Sequence, residues 1–368
     1  MKRILVITTS LLLLQLGLVK AQVITMNLGG PTHSGVYKTI PLISFTKVAW
    51  KTELDANGGE NFILRDSIIY VNGAKGNYNE RKGYVYAIDA NSGKIIWKDS
   101  IDRFISSPTM KDTILYYGSD DRDCKMRAMN KRNGKLIWEL GLERNSCWPP
   151  ALYNNKAYFG DHGGNWFVVD NITGKVLFKR KIDAGICNSA SIFEGVVYFS
   201  DESGILRAFN TKTNTDKWMF DSGSKSLNPP SIVNGVAYLV TEEGTLYAIN
   251  IKDGSLLWSY KTDDSMYRSP AVSEGVATLI TSNGHIYAIN TKDGKILWET
   301  KKIGLGYTNT AIVKNIVYVG CGDKHLYAFD LKTGNEIWNF ESESPVNTPL
   351  VNNGVVYFTS GKYLYAIK

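Results

Sequence analysis

Cysteine and histidine are scarce in this sequence, which contains four of each among 368 residues. No two cysteines are adjacent, and none belongs to a Cys-x-x-Cys pair or to a Cys/His cluster with the spacing of a zinc motif. We therefore predict no metal site. We interpret His33 and His162 as isolated histidines, and His285 and His325 as surface residues of equivalent strands.

An excess of one sign of charge is also lacking. Lys and Arg number 42 against 35 Asp and Glu, which gives a formal net charge of +7. So mild an excess over so long a chain gives no electrostatic argument for nucleic-acid binding. We predict no nucleic-acid partner.

A long apolar run occurs only at the start of the chain. Lys2 and Arg3 precede it, and Val19-Lys20-Ala21 places small residues at the two positions that a signal peptidase reads. We predict a signal peptide over residues 1–21, with an uncleaved anchor as the alternative, although the run is short for a bilayer span. The mature protein is then exported, periplasmic or secreted, without a transmembrane segment. Gln22 stands where a lipoprotein needs cysteine, so no lipid anchor is predicted.

The sequence is rich instead in a repeat of 40 or 41 residues. One aromatic column of it comprises Trp97, Trp138, Phe178, Trp218, Trp258, Trp298 and Trp338. A column of small residues runs in phase and comprises Ala87, Ala128, Val168, Ala208, Ala248, Ala288, Ala328 and Ala366. Self-similarity at this period indicates a repeat architecture in which each unit is one small group of strands.

Each unit contains four short strand signals separated by turns. In the unit that ends near Trp258, alternating β-branched, aromatic and polar residues predict strands over 231–233, 236–240, 245–250 and 255–260. Asn-Gly, Glu-Gly and Asp-Gly pairs separate them, and such pairs suit tight hairpins. Four antiparallel strands in about 40 residues form one blade of a β-propeller.

The two ends of the chain fix the number of blades. Residues 363–368 form a third strand with no fourth strand after it, and residues 45–54 contain Trp50 in a fourth-strand setting with nothing before it. Together they complete one more blade, since an open edge beside an open ring is unfavourable. We predict an all-β, eight-bladed propeller of four-stranded antiparallel blades over residues 43–368. Residues 22–42 form a lead-in segment that crosses one face and delivers the closing strand.

The run from Ala87 to Trp97, Ala-Ile-Asp-Ala-Asn-Ser-Gly-Lys-Ile-Ile-Trp, resembles the tryptophan-docking repeat of quinoprotein propellers. Phe178 replaces the tryptophan in one copy, and Asn214 replaces the turn glycine in another. Such repeats occur in quinoprotein alcohol dehydrogenases and in the non-enzymatic BamB-type propeller of outer-membrane assembly. The resemblance implies interblade docking by the aromatic column, which with the closing strand comprises Trp50, Trp97, Trp138, Phe178, Trp218, Trp258, Trp298 and Trp338.

The resemblance implies two kinds of function. The dehydrogenases clamp pyrroloquinoline quinone (PQQ) against a ring of two adjacent cysteines and bind calcium, but this sequence has no adjacent cysteines. We therefore expect a non-catalytic scaffold with a protein partner in the cell envelope and no cofactor. The alternatives are a dehydrogenase that uses PQQ with calcium and a carbohydrate-active enzyme, either of which would bind a small ligand in the central funnel.

The first strand of each blade is innermost in a propeller, so its start rims the central channel. Aligning those starts across the repeats gives residues that differ from blade to blade, as expected where a ligand or partner is recognised. The candidate binding residues are Trp148, Asn188, Asn228, Tyr267, Arg268, Tyr307, Thr308 and Asn347. The alternative is that they only satisfy strand ends and hold channel water.

The remaining candidates are thiols and charged hairpins. Export permits disulfides, and we predict that Cys147 bonds either Cys124 or Cys187, while Cys321 stays free. The hairpins Asp161-His162-Gly163-Gly164 and Asp201-Glu202-Ser203-Gly204 are interpreted as turns kept charged for solubility.

Overall fold

The computed structural model describes residues 29–76, 82–101, 106–119, 124–144 and 148–368, without the side chains of Asn61 and Ile101. The predicted signal peptide, the start of the lead-in segment and Cys147 lie outside these ranges. All regular elements within them are β-strands, and no helix in this part of the chain could span a membrane.

The strands are numbered in chain order. The first sixteen are β1 (Val48–Glu53), β2 (Asn57–Arg65), β3 (Ile68–Lys75), β4 (Lys82–Asp89), β5 (Ile95–Ile101), β6 (Thr109–Lys111), β7 (Ile114–Gly118), β8 (Lys125–Asn130), β9 (Leu136–Gly141), β10 (Ala151–Tyr153), β11 (Lys156–Gly160), β12 (Asn165–Asp170), β13 (Val176–Lys181), β14 (Ser191–Phe193), β15 (Val196–Ser200) and β16 (Ile205–Asn210). The others are β17 (Thr215–Asp221), β18 (Ser231–Val233), β19 (Val236–Val240), β20 (Thr245–Asn250), β21 (Leu256–Lys261), β22 (Ala271–Ser273), β23 (Val276–Ile280), β24 (Ile286–Asn290), β25 (Ile296–Glu299), β26 (Ala311–Val313), β27 (Ile316–Gly320), β28 (His325–Asp330), β29 (Glu336–Glu341), β30 (Leu350–Asn352), β31 (Val355–Ser360) and β32 (Tyr363–Ile367).

These strands form eight antiparallel four-stranded sheets, which confirms the predicted eight-bladed propeller. Blades 1 to 7 each use four consecutive strands, from β2–β5 in blade 1 to β26–β29 in blade 7. The short first strands of blades 2 to 8 contact one another in order, and β2 of blade 1 contacts β31 and β32 of blade 8. The ring is therefore closed, with the first strands innermost.

Blade 8 is completed by the strand nearest the start of the chain. β1 pairs with β32, so that Trp50 lies opposite Ala366 and Glu53 opposite Tyr363. The backbone N–H groups of Thr46 and Lys47 also donate to the carbonyl of Lys368, at 2.9 and 2.8 Å. β1 therefore covers an edge of β32 that would otherwise be unpaired.

The strands predicted in blade 5 are found with one small shift. Three have the predicted bounds, but β21 runs from Leu256 to Lys261 rather than over the predicted 255–260. The backbone N–H and the hydroxyl of Ser255 both donate to the Asp253 carboxylate, at 3.0 and 2.7 Å. Ser255 therefore belongs to the turn, because its hydrogen bonds close that turn.

The aromatic column joins neighbouring blades. The indole N–H of Trp258 in blade 5 donates to the carbonyl of Thr291 in blade 6 at 2.9 Å. Its ring lies against Gly294 of the same turn, where a Cβ would stand 2.7 Å from Cε3 of Trp258. Gly294 also has a φ of 71°, so the site needs glycine for both space and conformation. Equivalent indole hydrogen bonds are made by Trp50, Trp97, Trp138, Trp218 and Trp298. The indole of Trp338 donates instead to the carbonyl of Leu42 in the lead-in segment, at 3.2 Å.

Two departures from the repeat, at Phe178 and Asn214, fall at one interface. Phe178 stands in blade 3 where the others have tryptophan, and Asn214 stands in blade 4 where the turn glycine would face it. Asn214 keeps the glycine conformation, with a φ of 57°, and its N–H makes the equivalent turn bond to Asn210. Asn tolerates this left-handed conformation better than other non-glycine residues. The smaller phenyl ring thus leaves the room that the Cβ of Asn214 needs.

The lead-in segment runs along the inside of the ring. The carbonyls of Pro31, Thr32, Ser34 and Gly35 accept hydrogen bonds from the N–H groups of Ile192, Ile232, Val272 and Ile312, which are equivalent positions in blades 4 to 7. The segment then reaches blade 8, where Gly354 N–H donates to the Ile40 carbonyl at 2.9 Å. The segment therefore occupies the inner strand edges, a deeper path than the predicted crossing of a face.

We predict that Phe178→Trp alone destabilises the protein by about 1–3 kcal/mol, because the larger ring meets the Cβ of Asn214. Adding Asn214→Gly should recover most of that loss, giving a favourable coupling energy of about 1 kcal/mol or more. Urea denaturation of the wild type, both single variants and the double variant measures it.

The reverse exchange provides the control. Gly294→Asn should be strongly destabilising beside Trp258 and less so in a Trp258→Phe background. Additive free energies of unfolding in both cycles would show that ring and turn residue are not matched.

Candidate functional site

The channel opens on a face built from two kinds of loop. The connections from the fourth strand of one blade to the first strand of the next meet the hairpins between second and third strands, and we call this the loop face. Glu202 N–H donates to the Gly185 carbonyl at 2.8 Å, and Glu242 N–H to the Lys225 carbonyl at 2.8 Å. Since the same bond recurs between Gly322 and Leu305, each hairpin is held against the connection that precedes its blade.

The polar rim residues bind neighbouring backbone. The Asn188 amide donates to the Ser200 carbonyl at 3.0 Å, and the Thr308 hydroxyl donates to the Gly320 carbonyl at 2.6 Å. Asn347 donates to the Thr359 hydroxyl at 2.9 Å. In all three, the start of a first strand is fastened to the end of the second strand in the same blade. Asn228 instead donates to the Tyr267 carbonyl of the next blade. These contacts are the ones expected if the polar rim residues serve only to satisfy backbone groups at the strand ends, which was the alternative interpretation of the sequence.

Arg268 forms a bridge between distant blades. Its Nη2 lies 2.8 Å from Oε2 of Glu60, which belongs to β2 of blade 1, whereas Arg268 precedes the first strand of blade 6. Its Nε also donates to the Tyr307 carbonyl. Blades 7 and 8 stand between the two partners, so the ion pair spans part of the funnel. Because the Glu60 side chain is 50% exposed, the pair contributes at most about 1 kcal/mol to stability.

Two glycines allow β2 to reach Arg268. A Cβ at Gly59 would lie 1.9 Å from Oδ1 of Asn72, and a Cβ at Gly58 would lie 2.6 Å from Cγ2 of Thr359. The register between β2 and β3 shifts between Gly58 and Phe62, so a bulge interrupts this strand. Glu60 was not among the site residues predicted from the sequence, although a Gly-Gly pair inside a strand signal is a known mark of a bulge.

The apolar rim residues are more accessible than the polar ones. Tyr307 is 48% exposed and Leu305, in the same connection, is 49% exposed. Trp148 and Tyr267 are half-buried. Exposed aromatic and aliphatic groups beside an arginine are residue types that anchor protein interfaces.

His162 is not isolated, contrary to the interpretation of the sequence. Its Nδ1 lies 2.9 Å from the Sγ of Cys187, and Glu202 stands close to both.

Both predicted disulfides involve Cys147, which lies outside the described residues. Cys321 is buried, with its thiol directed at the carbonyls of Ile303 and Leu305. Nδ1 of His285 lies 2.9 Å from Glu299, and that of His325 lies near Asp323 in its own hairpin.

A family model described as outer membrane protein assembly factor BamB matches residues 46–190, 178–302 and 300–367. The chain belongs to this family. The BamB-family repeat therefore covers almost the whole propeller.

Two individual relatives match only in part. The outer membrane protein assembly factor BamB of Moranella endobia is 24% identical over 142 residues, which are 35% of this chain and 34% of that protein. The quinoprotein alcohol dehydrogenase PedH of Pseudomonas putida is 26% identical over 128 residues, which are 30% of this chain and 20% of that protein. Each match thus spans about a third or less of the relative.

Solved structures share the fold over nearly the whole chain. BamB from Moraxella catarrhalis superposes with a TM-score of 0.74 at 18% identity, covering 88% of this chain and 97% of that one. The quinohemoprotein alcohol dehydrogenase of Comamonas testosteroni gives 0.80 at 12% identity, covering 94% and 80%. The computationally designed protein Ika8 gives 0.77 at 16% identity, covering 88% and 99%. Such likeness shows the fold alone.

The lead-in segment of this BamB-family chain carries a buried histidine. His33 is fully buried, and its carbonyl accepts a hydrogen bond from the Ser231 hydroxyl at 2.7 Å. Burial lowers the pKa of the His33 imidazole from 6.5 to about 4, and a hydrogen bond with the Ala190 backbone acts in the opposite direction. The side chain is therefore neutral at neutral pH.

We predict that His33 makes stability depend on pH. Its pKa is lower in the folded chain than in the unfolded chain, so the unfolded state binds more protons between pH 6.5 and 4. The contribution is fully present above pH 6.5, falls by about 3 kcal/mol as the pH drops to about 4, and is constant below that. Chemical denaturation at several pH values measures it.

His33→Asn is the matched variant, because Asn does not titrate and tolerates the φ of 47° at this position. Its free energy of unfolding should fall less steeply over the same pH range. Equal slopes in both proteins would show that His33 does not contribute.

Proposed function

We propose that this chain is a non-catalytic protein-binding scaffold of the cell envelope, and that its partner docks on the loop face. The proposal rests on a difference between the polar and the apolar residues of the rim. The amide N–H groups of Asn188 and Asn347 and the hydroxyl of Thr308 are engaged in bonds that hold the blades. Tyr307 and Leu305 remain exposed beside Arg268, which suits a protein surface better than a small polar ligand.

Family membership supports a location in the envelope. The matching family model carries the description of an outer membrane protein assembly factor. A basic pair followed by an apolar run opens the sequence, as in secretory signal peptides. Both features favour export of this chain, and the first supports our proposal of a role in assembling or holding envelope proteins.

The opposite face, formed by the hairpins between strands 1 and 2 and between strands 3 and 4, is a weaker candidate. Its turns repeat one formula, as in Lys252-Asp253-Gly254 and Lys292-Asp293-Gly294, and their side chains bond within the turn. Turn chemistry alone accounts for that uniformity. The loop face varies from blade to blade, and recognition of one partner needs such variation.

A quinone-dependent dehydrogenase is the competing function, since PedH is among the relatives. The rim fits PQQ with calcium poorly. The Glu60 carboxylate that could approach a cation is paired with Arg268, and the sequence has no adjacent cysteines to clamp the quinone. We propose that no such cofactor is bound.

The test begins with the partner that wild-type chain captures from envelope extracts, which is then purified. The variant with Trp148, Arg268 and Tyr307 changed to Ala should bind it at least about tenfold more weakly, as for the loss of interface anchors. The matched control changes Lys252, Lys292 and Lys332 to Ala on the opposite face and should bind as the wild type does. If the lysine variant loses binding and the loop-face variant keeps it, the partner docks on the opposite face.

Titration with PQQ and Ca²⁺ tests the competing function. We expect no saturable change in quinone absorbance and no alcohol-dependent reduction of an added dye. Saturable PQQ binding together with alcohol-dependent dye reduction would contradict the scaffold proposal and indicate a dehydrogenase.

A further inference from the structure

Three potential metal ligands converge on the loop face between blades 3 and 4. His162 lies in the hairpin between β11 and β12, Cys187 in the connection between β13 and β14, and Glu202 in the hairpin between β15 and β16. One ligand atom from each lies within 4.8 Å of the other two. No other such group of His, Cys, Asp and Glu occurs in the part of the chain that the structure describes.

The repeat explains why these side chains meet. His162 and Glu202 occupy equivalent hairpin positions in successive blades, and Cys187 lies in the connection between those blades. Ile186 N–H donates to the Asp161 carbonyl at 3.0 Å, and Glu202 N–H to the Gly185 carbonyl at 2.8 Å. Backbone hydrogen bonds therefore hold the connection to both hairpins.

Gly185 lets the carboxylate approach. A Cβ at this position would lie 2.5 Å from Oε2 of Glu202 and 2.8 Å from the His162 carbonyl. Any larger residue would push the two hairpins apart. The close approach of His162, Cys187 and Glu202 thus depends on a residue without a side chain.

A lysine orients the carboxylate. Nζ of Lys225 lies 2.9 Å from Oε1 of Glu202, which leaves Oε2 for another partner. Burial raises the pKa of Glu202, but hydrogen bonds with Cys187 and Lys225 lower it more, so it lies below its ordinary value. Residues that hydrogen-bond to the ligands of a metal ion commonly set the orientation of those ligands.

We propose that His162, Cys187 and Glu202 bind one Zn²⁺ ion and leave its fourth coordination position open to solvent. The proposal does not depend on the scaffold function. A thiolate, an imidazole and a carboxylate are the three ligand types of zinc sites, and sites with three protein ligands hold water in the fourth position. Cys187 is buried and His162 is exposed, so the open position faces the solvent.

The distances suit this ion after a small adjustment. Tetrahedral Zn²⁺ with bonds of about 2.0–2.3 Å separates its ligand atoms by about 3.3–3.8 Å. The observed Sγ to Nδ1 distance of 2.9 Å is shorter, and the outer limit of 4.8 Å is longer. Movements of about 1 Å at the side-chain ends therefore form the site. Binding converts the Cys187 thiol to a thiolate and releases its proton to solvent, so affinity falls as pH is lowered.

Cobalt provides the spectroscopic test. The full chain, without a histidine tag, is reduced, stripped with a chelator and titrated with Co²⁺. We expect one equivalent to produce the near-ultraviolet absorption of a cobalt thiolate, and one equivalent of Zn²⁺ to abolish it. Cys187→Ser should remove the absorption. His162→Gln and Glu202→Gln should each weaken Zn²⁺ binding, measured calorimetrically, by at least about tenfold.

Two variants serve as matched controls. Glu242→Gln changes the residue equivalent to Glu202 in the next blade, where Leu227 replaces Cys187, and Cys321→Ser changes a buried thiol elsewhere. Both should bind as the wild type does, and circular dichroism checks that all variants fold. Absence of saturable Zn²⁺ binding, thiolate absorption that survives Cys187→Ser, or a native disulfide at Cys187 would each overturn the proposal.

Discussion

The bond from an indole N–H to a carbonyl in the next blade is the interaction on which the ring depends. Each blade is a small twisted sheet that cannot bury its faces alone. Trp258 covers a face of its own blade while its N–H satisfies a carbonyl in the turn of the next. The turn glycine removes the atom that would hold the two blades apart. This contact recurs at six of the eight interfaces between blades. It therefore helps to fix the angle between blades and so the placement of the loops above the channel.

Most of the fold could be predicted from the sequence because the same pattern of strands and turns recurs in each repeat. Val236–Val240 and Thr245–Asn250 begin and end as predicted, since Gly-containing turns bound them. Trp50 identified β1 as the missing fourth strand because its setting repeats that of Trp258. The path of residues 29–40 has no counterpart in the repeat, so nothing in the sequence showed that it follows the inner strand edges.

The candidate site was less accessible to sequence reasoning, for two physical reasons. Alignment of strand starts found Asn188 and Thr308, but burial and a backbone acceptor decide whether a polar side chain is available, and those depend on neighbouring strands. Glu60 lies in β2, whose bulge breaks the alignment. The positions of His162, Cys187 and Glu202 within their repeats could be read from the alignment of the repeats. Their meeting requires the further knowledge that each hairpin lies over the connection preceding its blade.

The closure of blade 8 has a consequence for biogenesis. Among the described residues, β1 pairs with β32 alone, and residues 31–40 make backbone hydrogen bonds with blades 4 to 8. β1 must therefore wait for β32 to be synthesised before it can pair, whereas residues 31–40 can begin to pair once blade 4 has emerged. Meanwhile β1 is an unprotected strand of the kind that seeds aggregation. A chain interrupted shortly before β32 would leave blade 8 incomplete and β1 unpaired, so closure of the ring depends on the synthesis of β32.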